Sequence, residues 1–405
     1  MSKELSVTTV SLIDGPDFEN WDAMLGPGGF YMSQRWLRVA ETHATFRASY
    51  VLARDSSGVL LGALPAYVTE ASPPDRRYAV DIELADAAPG VDRWFPGLLL
   101  GGRAGYLTQF PLAGTRGSQV RSRLLKALVD KAGGSFQTTV GAAALYLDGQ
   151  SLAELIDAVP NRVPVLSAAD AVLELEVASF DEYLSMLSKK RRRTVRDDIR
   201  RFAASGLVVE QVAFSEVHQE LAGILAKHNG RFGANSSVEL LSRHLARQAE
   251  IFGDDPLCLV VRVGGDIVAF SLSYQWQDEL YLRIVGIDHD RLPDDTRAYF
   301  TLAFYEPIRF AIKNNLSRIR LGLESSGAKV LRGAQVEPRW SMILTSESDD
   351  SRTATQGRNE AVLDAFDQAF GKVAEAMSET TWPRDQWAKL GWLPPFDDAI
   401  RENAQ

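Results

Sequence analysis

The densest chemical feature of the sequence is a run of cations. SKKRRRTVRDDIRRF (188–202) places eight Lys and Arg and two Asp between Lys189 and Arg201, a local charge of +6. The chain carries −9 overall, with 44 Lys and Arg against 53 Asp and Glu, so the remainder holds −15 and the molecule is not a general polyanion binder. Val195, Ile199 and Phe202 recur at i, i+4 and i+7, one helical face, with Lys189, Arg192, Arg193, Arg196 and Arg200 spread around the others. Most charge runs are ordinary solvated faces balanced by acidic neighbours. Crowding this many like charges costs self-repulsion that an anion relieves, and guanidinium forks match phosphate oxygens. Phosphate binding, as part of a nucleotide sugar, coenzyme A or tRNA, is the functional expectation for this helix.

A second cluster, KHNGRFG (227–233), puts His228 and Arg231 where a helix breaks at glycines. A histidine exposed there can contact a substrate; its ordinary role is to cap the helix C-terminus. In FYMSQRWLRV (30–39), Trp36 reads as core and Arg35 as exposed. Other chemistries lack their residues. The sequence has no GxxxxGK[ST] loop, strand-anchored GxGxxG, HExxH or GxSxG, and its five histidines are scattered. Cys258 is the single cysteine, which excludes internal disulfides and thiolate-rich metal sites and suits a reducing compartment. The start, MSKELSVTTV, has no signal pattern, and apolar runs such as 257–261 are too short to span a bilayer, so the expectation is a cytoplasmic protein without membrane insertion.

The elements that must position these residues form a weak internal repeat. VLARDSSGVLLGALPAYV (51–68) and LVVRVGGDIVAFSLSY (259–274) both read as strand, tight turn, strand, with Arg54 and Arg262 at equivalent places. Each is followed by an extended segment (98–109; 280–287), a helix (118–131; 297–313) and a further strand (142–147; 317–323). Agreement in order as well as type favours duplication over coincidence. An insert rich in Pro, Asp and Arg, 71–96, is unique to the first half and reads as a surface excursion. Residues 161–179 read as the join, with helices beginning after Ser179 and Ser188. The expected domains are 1–165 and 179–345. Residues 346–405 form a polar linker and a tail helix (Val362, Phe366, Phe370, Val373, Met377) with Trp382, Trp387 and Trp392, packing on the second domain or serving a homodimer contact.

The segments LSKKRRRTVRDDIRRFAASGLVVE (187–210), YLRIVGID (281–288) and YFTLAFYEPIRFAIKNNLSRIRLGLESSGAKVLRG (299–333) resemble the GNAT acyltransferase superfamily. The doubled arrangement is similar to the Fem-type and FemAB-like transferases. The resemblance implies an α/β fold of two tandem GNAT-like domains, mixed central sheets flanked by helices. It also implies an acyl or aminoacyl group moved from an activated donor to an amine, in a cleft where two strands splay apart. CoA-dependent relatives hold pyrophosphate on a [QR]xxGx[GA] loop at a helix N-terminus. Here HDRLPDDTRAY (289–299) has no glycine and, with Asp288, four acidic side chains; in the first half, RGSQVR (116–121) has Gln119 and Arg121 in place of both glycines. Conventional CoA binding is weakened, and an aminoacyl-tRNA donor gains, although the long helical arm of tRNA-dependent Fem enzymes is missing.

The resemblance also nominates site residues. Glu324, just past the strand, is a candidate base, with a surface turn residue as its ordinary reading; Asp288 is the alternative base. Lys329 and Arg332 in AKVLRG match a Lys and an Arg-Gly of FemAB-like sequences and would hold a phosphate or a developing oxyanion. The tyrosine that many acetyltransferases use as general acid is absent, its place being near Arg332; Tyr281 and Tyr305 are substitutes, although Tyr305 has core spacing with Leu302 and Ile308. The leading expectation is an amide-forming acyltransferase with no tightly bound cofactor, taking aminoacyl-tRNA or acyl-CoA as co-substrate and an amine-bearing small molecule or cell-wall precursor as acceptor. The alternatives are an acyl-CoA N-acetyltransferase and a non-catalytic protein that binds a phosphorylated glycan or a partner.

Overall fold

A computed structural model describes residues 5–11, 13, 15, 18–41, 46–89, 91, 93–137, 139–234, 236–345, 349–370, 377–378 and 381–394. The chain forms two compact units, Met1–Ala169 with Glu337–Gln405, and Asp170–Val336. Among the described residues the strands are β1 (Ser6–Val10), β2 (Arg47–Arg54), β3 (Leu60–Thr69), β4 (Gly97–Leu100), β5 (Gly141–Leu147), β6 (Val165–Glu174), β7 (Val209–Val212), β8 (Leu257–Val263), β9 (Asp266–Trp276), β10 (Glu279–Ile287), β11 (Arg318–Gly322) and β12 (Gln335–Ile343).

The first unit runs β1 to β4 as antiparallel neighbours, and β5 then lies parallel to β4, as a helical crossover permits. The crossover is Gln119–Ser135, capped by Ser118, with Leu124, Leu125 and Leu128 buried. The second unit repeats this, β7 to β10 antiparallel and β11 parallel to β10. Its crossover helix spans 298–313, and the turn before Pro307, Thr301–Tyr305, is π-helical. The equivalent arginines act alike: Arg54 Nη1 donates to Gly58 O and Arg262 Nη1 to Gly265 O, both at 2.9 Å, closing the two hairpin turns.

Three expectations are corrected. Residues 161–179 are not a plain join, because β6 lies there. The boundaries of the units fall inside β6 and β12: the end of β6, Ala171–Glu174, pairs with β11 in the second unit, while Trp340, Met342 and Ile343 of β12 pair with β5 in the first. The insert 71–96 is no surface excursion, since Tyr78, Leu84, Ala87 and Trp94 are buried and Tyr146 Oη donates to Arg77 O. The tail belongs to the first unit, and its helix Asp349–Phe370 begins inside the stretch read as linker. Its buried residues are Thr355, Asn359, Leu363 and Phe370, so the inner face starts with polar side chains. Asn359 accepts from Leu166 N and donates to Pro164 O and Trp392 O, a fully used amide that tolerates burial. Trp340 packs edge-on against Trp387 and Trp392. Val373 lies outside the described residues.

Candidate active site

In the second unit β10 outruns its partner, at the place where the resemblance implies a cleft. β10 pairs with β11 only from Glu279–Arg318 to Tyr281–Arg320, then bulges between Leu282 and Ile284 and continues to Ile287. Leu282–Val285 are consequently only half-buried. After β11 come exposed Glu324, Ser325 at φ +55°, and the short helix Ser326–Val330. Gly333 turns the chain at φ +92°, and a Cβ there would sit 2.9 Å from Leu187, so the glycine of AKVLRG is required by space as well as by conformation.

Lys329 is not a solvated surface lysine. It is 5% exposed and its Nζ donates to Gly322 O at 2.9 Å, over the end of β11. Burial pulls its pKa down to about 8, against the negative charges of Asp170 and Glu324, which favour the ammonium. Tyr299, half-buried, hydrogen-bonds Ser325; burial raises its phenol, while Arg332 works the other way.

Arg332 is 3% exposed and its donors are used internally. Nη2 donates to Asp198 Oδ2 at 2.6 Å, Nε to Tyr305 Oη at 3.0 Å and Nη1 to Ala328 O at 2.9 Å, and the guanidinium lies 3.7 Å from the Phe300 ring centroid. Tyr305 Oη donates to the same Asp198 oxygen at 2.6 Å, Arg297 approaches its other oxygen at 3.5 Å, and Tyr183 Oη donates to Arg332 O. A buried ion pair holds only when its remaining valences are also met, as here. Arg332, expected as a ligand contact, thus has its donors bonded within the fold, and Tyr305 is core with its hydroxyl bonded inside. Tyr281, fully buried, donates to Glu279, which takes two bonds from Arg320 and one from Arg318; its hydroxyl too is bonded inside the fold.

The basic helix, Lys189–Ala204, begins at the Ser188 cap and buries Val195 and Asp198. Arg200 and Arg201 pair with Asp197. The side chains of Lys189, Lys190, Arg192, Arg193 and Arg196 have no ion-pair partner among the described residues, and Lys189, Lys190, Arg193 and Arg196 are exposed. They crowd the end of the helix where its dipole already disfavours positive charge.

The remaining candidates gather elsewhere in this unit. Asp288 lies in a turn, bonded to Lys227 Nζ at 2.5 Å; burial opposes its charge, but Lys227 holds the carboxyl below its ordinary range, which makes it a poor base. His228 does not cap its helix. Its ring stacks on His289 with centroids 5.5 Å apart, Nδ1 to Nε2 at 3.3 Å, and burial, His289 and Arg231 lower its pKa to about 4. His289 and Arg231 both bond Asp294. Two of the four acids that were to repel pyrophosphate are therefore neutralised in place.

In the first unit the corresponding loop is filled by the chain itself. Glu154 accepts from Arg121 Nε at 2.7 Å and from Gly117 N at 3.4 Å, and Asp148 from Arg116. An internal carboxylate takes a backbone N–H of the loop that would face a pyrophosphate. Burial pushes the Cys258 thiol up to about 12, away from nucleophilic use.

The sequence reading missed Asp198, Asp170 and Tyr299. Asp198 had a signal: it stands three residues after Val195 and four before Phe202, an acid on the apolar stripe of a basic helix.

Residues 13–356 match the model of the FemAB-like family, described as peptidoglycan biosynthesis/recognition. The chain belongs to the FemAB-like family. Its repeated α/β fold is shared with solved structures. Solved structures of similar fold include FemX, at 10% identity and TM-score 0.53, covering 83% of this chain and 97% of that one. A conserved protein of unknown function from Bacteroides thetaiotaomicron matches at 13% and 0.53, covering 81% and 97%. The C-terminal domain of a putative lysylphosphatidylglycerol synthetase from Agrobacterium fabrum matches at 12% and 0.50, covering 87% and 95%. No curated protein matches the chain. Among the described residues of this FemAB-like protein no helix is long and apolar enough to cross a membrane.

Proposed function

We propose that the protein transfers an aminoacyl group from an aminoacyl-tRNA to the amine of a small molecule or cell-wall precursor, forming an amide. The observation that carries this reading is the set of five cations, Lys189, Lys190, Arg192, Arg193 and Arg196, without an ion-pair partner among the described residues, on the helix whose Asp198 holds Arg332. Such a surface suits a polyphosphate backbone better than a single pyrophosphate. The occupation of the first unit's loop by Glu154 favours tRNA over coenzyme A as donor.

In this reading Glu324 takes a proton from the acceptor ammonium, and the freed nitrogen attacks the ester carbonyl carbon. The carbonyl oxygen becomes an oxyanion stabilised by the Lys329 ammonium. The bond from carbon to the ribose oxygen then breaks, Tyr299 protonates the departing oxygen, and the extra proton on the nitrogen passes to the Tyr299 phenolate, leaving a neutral amide and a free ribose hydroxyl. Asp198, Tyr305 and Arg332 fix the segment that carries Lys329.

The test is transfer from a mixed pool of charged tRNA to candidate amines, read as new amide mass, beside tRNA filter binding across salt. Arg192→Ala, Arg193→Ala and Arg196→Ala together should weaken tRNA binding and flatten its salt dependence while the thermal midpoint stays put. Turnover with acetyl-CoA alone, or tRNA affinity unmoved by the triple variant, overturns the reading.

A further inference from the structure

Arg103, in the first unit, is a buried guanidinium with its donors unused. It is 5% exposed, and among the described residues it makes no ion pair and no hydrogen bond; Nε is completely shielded and without a partner. Its contacts are ring faces, with Cζ 4.1 Å from the centroid of Phe46 and 5.3 Å from that of Tyr67. The hydroxyl of Tyr67 is likewise buried, and it faces the hydroxyl of Tyr50, which itself donates to Glu41.

The turn that carries Arg103 is, by contrast, tied down by four hydrogen bonds. Gly101 N donates to Pro65 O, Gly102 N to Thr108 Oγ1, Gly105 N to Tyr78 Oη, and Trp36 Nε1 to Ala104 O. Gly101 sits at φ +92°, where a side chain would collide with Thr108. Asp75, whose charge reaches Arg103, is already bonded to Arg77. An isolated buried cation is among the costliest groups a fold can carry. Two ring faces offset part of that cost, but they leave the in-plane donors open. A rigid turn that presents open donors is the arrangement of a binding site held ready.

We propose that Arg103 and the Tyr67 hydroxyl bind a small oxyanion, the carboxylate or phosphate of a ligand whose adjoining part lies against Phe46. Both groups donate, so the partner must accept at two atoms, and a guanidinium edge fits paired oxygens. Arg103 follows β4 where its pairing with β5 ends, at Leu100–Ala144, the place in this unit that matches the end of β10–β11 pairing at Tyr281 in the other. The site stands on the first unit alone and does not depend on the transfer reaction.

The test uses the full chain labelled with nitrogen-15 and follows the arginine Nε–H signals while sodium acetate and sodium phosphate are titrated against sodium chloride of equal ionic strength. One signal, absent from Arg103→Lys, should shift saturably with an oxyanion and not with chloride, and Arg103→Lys should bind about tenfold more weakly. Stronger response to acetate marks a carboxylate ligand, and to phosphate a phosphoryl one. Tyr67→Phe, which keeps the ring, should also weaken binding and provides a second variant should Arg103→Lys fold poorly. No saturable shift with either anion, a shift matched by chloride, or unchanged affinity in both variants overturns the proposal.

Discussion

Asp198 and Arg332, 134 residues apart in sequence, meet through one carboxylate oxygen at 2.6 Å. The contact ties the most basic helix of the chain to the segment that carries Lys329, and it does so with the only acid on that helix's buried side. The cations around it are thereby held against the second unit rather than displayed on a free arm.

Breaking that contact should be expensive. Asp198→Asn keeps the shape but leaves the Arg332 charge buried without its counterion, for which a loss of about 3–5 kcal/mol is expected. Urea denaturation measures it, and a loss below about 1 kcal/mol would show that Phe300 and Tyr305 alone can hold the guanidinium.

Lys329 should set the alkaline limit of activity. Its folded pKa, about 8 instead of 10.5, means that the ammonium is lost as pH rises through 8. If the charge stabilises an oxyanion, turnover falls above that pH, and Lys329→Ala costs roughly a hundredfold or more. Lys329→Arg stays charged, so any activity it retains should lack the alkaline fall. An identical pH profile in Lys329→Arg would remove Lys329 from the titration.

His228 should make stability depend on acid. Its pKa is about 4 in the folded chain against 6.5 for a free histidine, so below pH 6.5 the unfolded chain binds the proton more readily. Stability is then lost as pH falls from 6.5 towards 4. His289 and Arg231 face the His228 ring, and Asp294 bonds both of them. Thermal midpoints of wild type and His228→Asn across that window should converge at low pH; parallel curves would show that another group governs the slope.

Asn359 should tolerate no apolar replacement. Asn359→Leu strands Leu166 N and two carbonyls inside the first unit, an expected loss of about 2–4 kcal/mol. Chemical denaturation checks it, and a neutral result would show that the amide's bonds are replaceable.

Local chemistry was legible in the sequence wherever a single residue decides the backbone. The helix starts at Ser118, Ser179 and Ser188, both hairpins with their arginines, and the Trp36 core position follow from caps, turns and spacing. What stayed hidden was polar burial. The segment 165–174 has small residues, Ser167 and Asp170 among its apolar ones, so it reads as a join although it is a strand with partners on both sides. Thr355 reads as linker, and Asn359 falls outside the tail helix's apolar stripe, because their burial depends on acceptors and donors nearly two hundred residues away or more. For the site, the resemblance supplied Lys329 and Arg332, but only their surroundings separate one facing Gly322 O at the end of β11 from one bonded wholly within the fold.

Because Glu337–Ile343 completes the sheet of the first unit and Asp170–Glu174 that of the second, neither can be obtained by a single cut. A fragment ending at 165 would leave β5 with a naked edge, and one starting at 179 would do the same to β11. Swapping one half for a homologue would require two crossover points, inside β6 and inside β12. The gene carries the pair as one heritable block, and recombination that trades whole domains in other tandem proteins would here produce two aggregating halves.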